Sequence, residues 1–297
     1  MLSAKQLVHY YVYYSFNFYY FRFASATTMT IQLKEGQYFG KPNHKISFNG
    51  ITITDTDYTH DYVDWHCHEN PYFTFLLQGK LIEENKNESY YLSGGNLLFH
   101  NWQDFHRNMR PSEFTRGAHI EVNRVWATQF DIDLSTIEGS IKVKNPETKN
   151  LIFKIFLESR QCDNYNQTSI ELLLMEALSS IEQDHKRRRS HQPNWLKKLE
   201  EIIYENQDNK ITTEQVSSEL EIHPVHLSRT FHKYFGITFG QYCREIRLNK
   251  AVSFILSKKH KLTDIAYLCN FYDQSHMNAA LRKNLGTTPK KIAKIIG

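Results

Sequence analysis

His66 and His68 are separated by a single residue in the stretch Trp65-His66-Cys67-His68-Glu69. On an extended strand residues two apart project to the same face, so the two imidazoles would stand side by side. Further histidines, His100 and His106, follow the next strand-like runs. Two imidazoles on one face met by a third from a neighbouring strand could hold zinc or iron, or line a pocket for an organic ligand. Tyr72 opens the next apolar run and adds a phenol to the same region. No Ser/His/Asp order, phosphate-binding loop or complete ligand set occurs elsewhere, so the pattern supports no enzyme.

The elements that must position these rings read as short strands. Ile51-Thr52-Ile53-Thr54 alternates, and Tyr72 to Leu77 is a continuous apolar run suited to a buried strand. Asn85-Lys86-Asn87-Glu88 reads as a hairpin turn into Ser89-Tyr90-Tyr91-Leu92, and Gly94-Gly95 reverses the chain before Leu97-Leu98-Phe99. Many short strands at this spacing predict a sandwich or barrel of the jelly-roll kind. With His66-x-His68, Gly79 and the stretch from Gly95 to His106, the segment resembles a cupin. The resemblance implies a barrel whose first motif carries a ligand Glu a few residues after the histidine pair. Pro71 and Tyr72 stand there instead, and Glu69 comes too early and should face away. The expectation is therefore no bound metal and no cofactor, with His66, His68, Tyr72 and His106 lining a pocket for a small-molecule effector.

After Pro146 the apolar period changes from two to 3.6. Leu151, Ile152, Ile155 and Phe156 form one stripe; Ile170, Leu173, Leu174, Ala177, Leu178 and Ile181 form another. Two amphipathic helices follow, to pack on the barrel or to make a dimer interface. The basic run 184–193 has no apolar period and reads as a linker.

The last hundred residues repeat themselves. Val216 to Ile222 aligns with Ile265 to Phe271, and Leu227, Phe231, Phe235, Gly236 and Thr238 align with Met277, Leu281, Leu285, Gly286 and Thr288. Each copy reads as helix, tight turn, second helix and glycine stop, a helix-turn-helix. Thr212-x-x-Gln215 and Thr238-x-x-Gln241 are capping boxes, Pro224 suits the first position of a helix, and Thr263 and Asp273 are candidate caps. With 227/231/235 and 277/281/285 turned inward, Val225, Ser228, Arg229, His232 and Lys233 face outward on one helix. Gln274, Ser275, His276 and Asn278 do so on the other. Between the copies, Phe239 to about Leu256 reads as one helix, roughly 27 Å long at 1.5 Å per residue. A spacer of that length could set two recognition helices about one DNA turn apart, roughly 34 Å.

Through "ELEIHPVHLSRTFHKYFGITFGQYCREIRL", "KLTDIAYLCNFYDQSHMN" and "LGTTP", residues Trp195 to Ile292 closely resemble the AraC/XylS family of bacterial transcription regulators. A cupin-like front domain is that family's frequent partner. Two departures stand out: Asn270 occupies the usual glycine of the second turn, and Ala279 and Leu281 replace a customary Arg and Phe. The resemblance implies binding to promoter half-sites of double-stranded DNA, a homodimer and contact with RNA polymerase.

Charge and composition agree with this division. Residues 1–182 carry 16 Lys/Arg against 21 Asp/Glu, whereas residues 193–297 carry 16 against 10. An acidic front and a basic back suit a sensor joined to a nucleic-acid binder. Four cysteines without a CxxC pair fit a reducing cytoplasm. Residues 1–23 hold ten of the 41 aromatics, interrupted by Ser15, Asn17 and Arg22, a poor membrane span. The expected class is α+β with two domains. A disordered or artefactual extension (1–28) precedes a cupin-like sensor (29–146), a helical dimerisation region (147–183), a basic linker (184–193) and a double helix-turn-helix domain (194–297). Two other classes fit the same residues: a constitutive DNA-binding protein whose barrel only dimerises, and a metal-dependent cupin enzyme with a DNA-binding domain attached.

Overall fold

The computed structural model describes residues 31–101, 104–111, 114–134, 137, 139–161, 166–189, 193–206 and 211–295. The extension 1–28 lies outside the described residues. The front half holds β1 (Ile31–Leu33), β2 (Lys41–Phe48), β3 (Ile51–Asp57), β4 (Tyr62–His68), β5 (Tyr72–Gln78), β6 (Lys80–Asn85), β7 (Ser89–Ser93), β8 (Leu97–His100), β9 (His106–Met109), β10 (Arg116–Val122) and β11 (Ser140–Val143). Its helices are α1 (Arg124–Gln129), α2 (Pro146–Glu158) and α3 (Asn166–Arg189). The C-terminal half is all helical: α4 (Trp195–Glu205), α5 (Thr213–Glu219), α6 (Pro224–Phe235), α7 (Phe239–Ser257), α8 (Leu262–Leu268), α9 (Gln274–Leu285) and α10 (Pro289–Ile295).

The strands form two facing sheets, ordered β1-β4-β9-β6-β7 and β11-β8-β5-β10-β3-β2. β3, β5, β8 and β10 of the six-stranded sheet are buried on both faces, and the two-residue period sorts their side chains. Ile53, Phe73, Phe75, Leu97, Phe99, Ala118 and Ile120 join one core with α1, α2 and α3. Their neighbours Thr54, Tyr72, Thr74, His100 and His119 take the opposite face, toward the five-stranded sheet. Burial on both faces explains why β5 reads as a continuous apolar run rather than an alternating one.

Asn145 starts α2 by accepting a hydrogen bond from the Glu147 amide at 2.9 Å, with Pro146 in the first turn. The two apolar stripes of α2 and α3 are buried within the chain's own core, from Leu151 and Phe156 to Ile170 and Ile181. They pack on the sheet, and any pairing surface must use other residues. The basic run differs from its expected linker role, because α3 continues through Arg189. Lysine and arginine are good helix formers and favourable at a C-terminus, where the helix dipole is negative.

In the C-terminal half both capping boxes form, Thr212 with Gln215 and Thr238 with Gln241. Gly236 and Gly286 end α6 and α9 with φ of 76° and 65°, the left-handed conformation that favours glycine. Asp273 caps α9, accepting from the His276 amide at 2.7 Å. Thr263 does not cap α8. That helix starts two residues earlier than expected, its cap position is Lys261, and the Thr263 hydroxyl bonds the Asp264 carboxylate instead. The first helix-turn-helix has a core of its own, built by Leu199, Val216, Leu227, Phe231 and Tyr242, whereas Ile265, Met277 and Leu281 of the second join the larger core.

Candidate functional site

The space between the two sheets holds a set of rings as well as an apolar cluster of Leu76, Leu81, Leu92 and Leu98. β4 contributes His66 and His68, and β9 contributes His106, which stands opposite His66 in the strand register. The ring centroids of His66 and His106 are 4.2 Å apart, and those of His68 and Tyr72 are 4.3 Å apart. The Tyr72 hydroxyl lies 3.1 Å from Nε2 of His106. All four expected residues are therefore brought together, and all four are buried. Glu69 is exposed, as its position predicts.

The same interior contains Glu83 from β6 and His119 from β10, which the sequence reading missed, and His100 from β8, which it noted without assigning it to the pocket. Tyr38 stacks on His119 with centroids 3.8 Å apart, and Tyr72 stacks on His100 at 4.2 Å. The only local signal for Glu83 is its place two residues after Leu81, on the inward face of an alternating strand.

Burial and the neighbouring imidazoles hold His68 and His100 well below the ordinary histidine range. Burial takes His119 down to about 3, and burial together with His66 takes His106 to about 3. The rings are therefore neutral, with a lone pair on one nitrogen each. Burial, then Asp104, pushes the Glu83 carboxyl well up. Glu83 and His100 lie 3.2 Å apart, yet both are driven toward their uncharged forms, so this contact is a neutral pair rather than an ion pair.

Two sets of side chains bring one donor atom each within 4.8 Å of one another: His66, His68 and His106, and Glu83, His100 and His106. These are the residues that could hold a metal ion. A cleft of about 880 Å³ lies elsewhere, between the β6–β7 hairpin and α7, with Lys142, Lys149, Tyr242 and Ser253 among its lining residues. The front half also bonds α7 directly: the Gln78 amide donates to the Leu256 carbonyl, Asn150 to the Glu245 carboxylate, and the Tyr242 hydroxyl to the Lys144 carbonyl at 3.4 Å.

The second candidate surface belongs to α6 and α9. Leu227 and Phe231 face inward on α6, and Val225, Ser228, Arg229, His232 and Lys233 are exposed. On α9, Met277, Leu281 and Leu285 face inward, and Ser275 and His276 are exposed. Gln274 and Asn278 are half-buried, and the Asn278 side-chain oxygen is enclosed without a hydrogen-bond partner. Glu221 and Asn270 occupy matching turn positions, each with φ of 56°, so the two motifs share one turn geometry. α7 joins them as a single helix of 19 residues.

Comparison with known proteins agrees with this geometry. A helix-turn-helix domain family matches residues 216–295. The chain is 26% identical over 101 residues to the bifunctional transcriptional activator/DNA repair enzyme AdaA of Bacillus subtilis, covering 34% of this chain and 48% of that protein, about half its length. It is 32% identical over 96 residues to "Probable transcription factor PqrA" of Proteus vulgaris, covering 32% of this chain and 77% of the relative. Similarity to the HTH-type transcriptional activator RhaS of Escherichia coli extends through the front half as well, at 24% identity over 248 residues, 82% of this chain and 79% of that one. With its paired helix-turn-helix units and a sensor-like front domain, the chain belongs to the AraC/XylS family of helix-turn-helix transcription regulators.

Proposed function

We propose that the protein reads promoter DNA in a sequence-specific manner and that a small molecule bound in its front domain controls this reading. The observation that carries the first part is the single exposed face of α6, where Arg229 and Lys233 stand one turn apart beside Ser228 and His232. A guanidinium there can reach guanine O6 and N7 in the major groove, and a lysine ammonium can reach a phosphate. Ser275 and His276 of α9, with the half-buried Gln274 and Asn278, would take the second half of the site. The missing arginine at Ala279 leaves α6 as the stronger reader.

Arg229→Ala should weaken operator binding by about 1–3 kcal/mol and relax specificity at one base pair. Lys233→Ala should weaken operator and scrambled DNA alike and reduce the salt dependence. Titrations on both DNAs decide this, and equal operator affinity for Arg229→Ala and the parent would remove Arg229 from the interface. The protein would act as a homodimer that recruits RNA polymerase. Cooperative binding to an operator with two half-sites is expected, and its absence would sink the dimer. The buried stripes of α2 and α3 leave the outer face of α3, where Leu172 is exposed, as a pairing surface.

Effector control would run through β5, which places Tyr72 in the ring-lined interior and ends at Gln78, a hydrogen-bond donor to α7. His66, His68, Tyr72 and His106 would make the effector contacts. The hydrogen bonds from Gln78 and Asn150 to α7 would carry the change to both DNA-reading units. A thermal-shift screen of small metabolites should find a class that raises Tm in the parent and not in His68→Ala. A screen without hits in the parent would favour a constitutive regulator.

A further inference from the structure

The ring-lined interior holds two polar atoms that a stable protein should not leave alone. His68 Nδ1 and Glu83 Oε1 are enclosed without a well-formed hydrogen bond, although His100 Nδ1 lies 3.2 Å from the Glu83 oxygen. An unpaired buried carboxyl oxygen costs roughly 1–3 kcal/mol, and such groups call for a specific explanation. Among the described residues, the ion-pair contact of Glu83 is with His100, whose Nδ1 also lies 3.1 Å from the Ser140 hydroxyl, and no lysine or arginine pairs with Glu83.

The imidazoles around it are oriented rather than merely packed. Nδ1 of His66 lies 2.8 Å from the Asp64 carbonyl, and Nδ1 of His106 lies 2.8 Å from the Asp104 carbonyl. A ring nitrogen that close to a carbonyl carries the proton and donates it, which leaves Nε2 of each ring with its lone pair turned into the interior. Backbone carbonyls fix metal-ligating histidines in this way. Two strands use the same device, the carbonyl two residues before the histidine. His106 belongs to both convergent sets, and Glu83 and His100 complete the second.

We infer that this interior binds one divalent first-row transition-metal ion, with Glu83 as its carboxylate ligand and His106 as the imidazole common to both sets. The inference rests on reading the interior as the sensory site and names the chemistry of that site. Imidazoles with one carboxylate suit zinc, iron(II), cobalt(II) or nickel(II), whereas calcium and magnesium prefer oxygen ligands throughout. No acid stands in the positions just after His66-x-His68 where the ligand is expected, and the acid that converges with His106 is Glu83, 15 residues after His68 on a different strand. The packed rings bring the donor atoms of each set within 4.8 Å of one another, a separation that a single ion can span.

Cobalt(II) is the probe. The full chain, stripped with chelator, should bind one equivalent in equilibrium dialysis and develop visible d–d bands. Glu83→Gln should weaken binding by at least about tenfold, the lower range for loss of even an outer partner, and shift the bands. His119→Gln, in the same interior but in neither set, should bind as the parent does. Binding of less than a tenth of an equivalent by the parent would overturn the inference. Parent-like affinity and spectrum in Glu83→Gln would overturn the assignment of Glu83. Should Glu83→Gln not fold, anomalous diffraction from cobalt-loaded parent crystals decides: the ion is expected about 2.0–2.2 Å from a Glu83 oxygen, and an ion on the histidines alone refutes it. No DNA enters these measurements, so a negative result leaves the DNA-binding reading standing.

Discussion

Replacing Asp55 by alanine is expected to destabilise the protein by about 3 kcal/mol. The carboxylate is 1% exposed and accepts a bidentate pair from Arg116, Nε to Oδ1 and Nη2 to Oδ2, both at 2.7 Å. Arg160, just beyond the end of α2, donates to the same Oδ2. One buried carboxylate thus ties β3 to β10 and to the helical layer. Burial already pulls both guanidiniums below their usual range. Removing Asp55 takes the bidentate partner from Arg116, whose contact with Asp57 is longer, at 3.7 Å. Breaking a buried pair from one side costs about 3–5 kcal/mol. The lower end applies because Arg116 and Arg160 are 13% and 17% exposed, so water can reach them. Urea unfolding of Asp55→Ala and Arg160→Ala gives the comparison. The second variant keeps the bidentate pair and should lose less. A loss below about 1 kcal/mol for Asp55→Ala would mean that the cluster behaves as a surface pair.

Asp55 also marks where sequence reasoning stops. Ile51-Thr52-Ile53-Thr54 alternates legibly, but Asp55-Thr56-Asp57 looks like the solvated end of a strand. Nothing local says that Arg160, 105 residues later, will close over it. The candidate site shows the same division. His66 and His68 share a face by strand parity alone, and His106 opposite them follows from the second half of the motif. Glu83 becomes visible only once β6 pairs with β9, because its neighbour across the strands is Asn108, two residues from His106. Cross-strand pairing at long sequence separation carries no signature in either segment.

The helical half was far more legible because its signals are local. Capping boxes, an N1 proline and left-handed glycine stops each act within one turn, and the repeat checks every one of them twice. The exceptions are instructive. Positive φ at Asn270 suits an asparagine standing in a glycine's place, whereas its counterpart Glu221 gives no such signal, since Glu has no special tolerance for that region. The run Lys186-Arg187-Arg188-Arg189 was assigned to a linker on polarity, although its residues are ordinary helix formers and α3 was already under way.

The strongest expected effect falls on the first DNA-reading unit. Phe231→Ala should remove about 3–5 kcal/mol, the usual range for truncating a buried phenylalanine. Phe231 is fully buried, and its ring meets Phe235 at 4.3 Å, Phe239 at 5.3 Å and Tyr242 at 5.4 Å between centroids. Those contacts join α6 to α7 and sit at the centre of the smaller core. Whole-domain stability is only about 5–15 kcal/mol, so a loss of this size in a small core is enough to open it. Because that core is separate from the one beneath the six-stranded sheet, the opening should be local. Hydrogen exchange on Phe231→Ala should show α4, α5 and α6 losing protection while β5 and β10 keep theirs, with operator affinity falling alongside. Leu281 holds the matching place in the second repeat but lies in the larger core. Leu281→Ala should therefore weaken protection in α9, α2 and the sheet together. If Phe231→Ala lowers protection equally in β5, β10 and α6, the two cores unfold as one cooperative unit and the local reading fails.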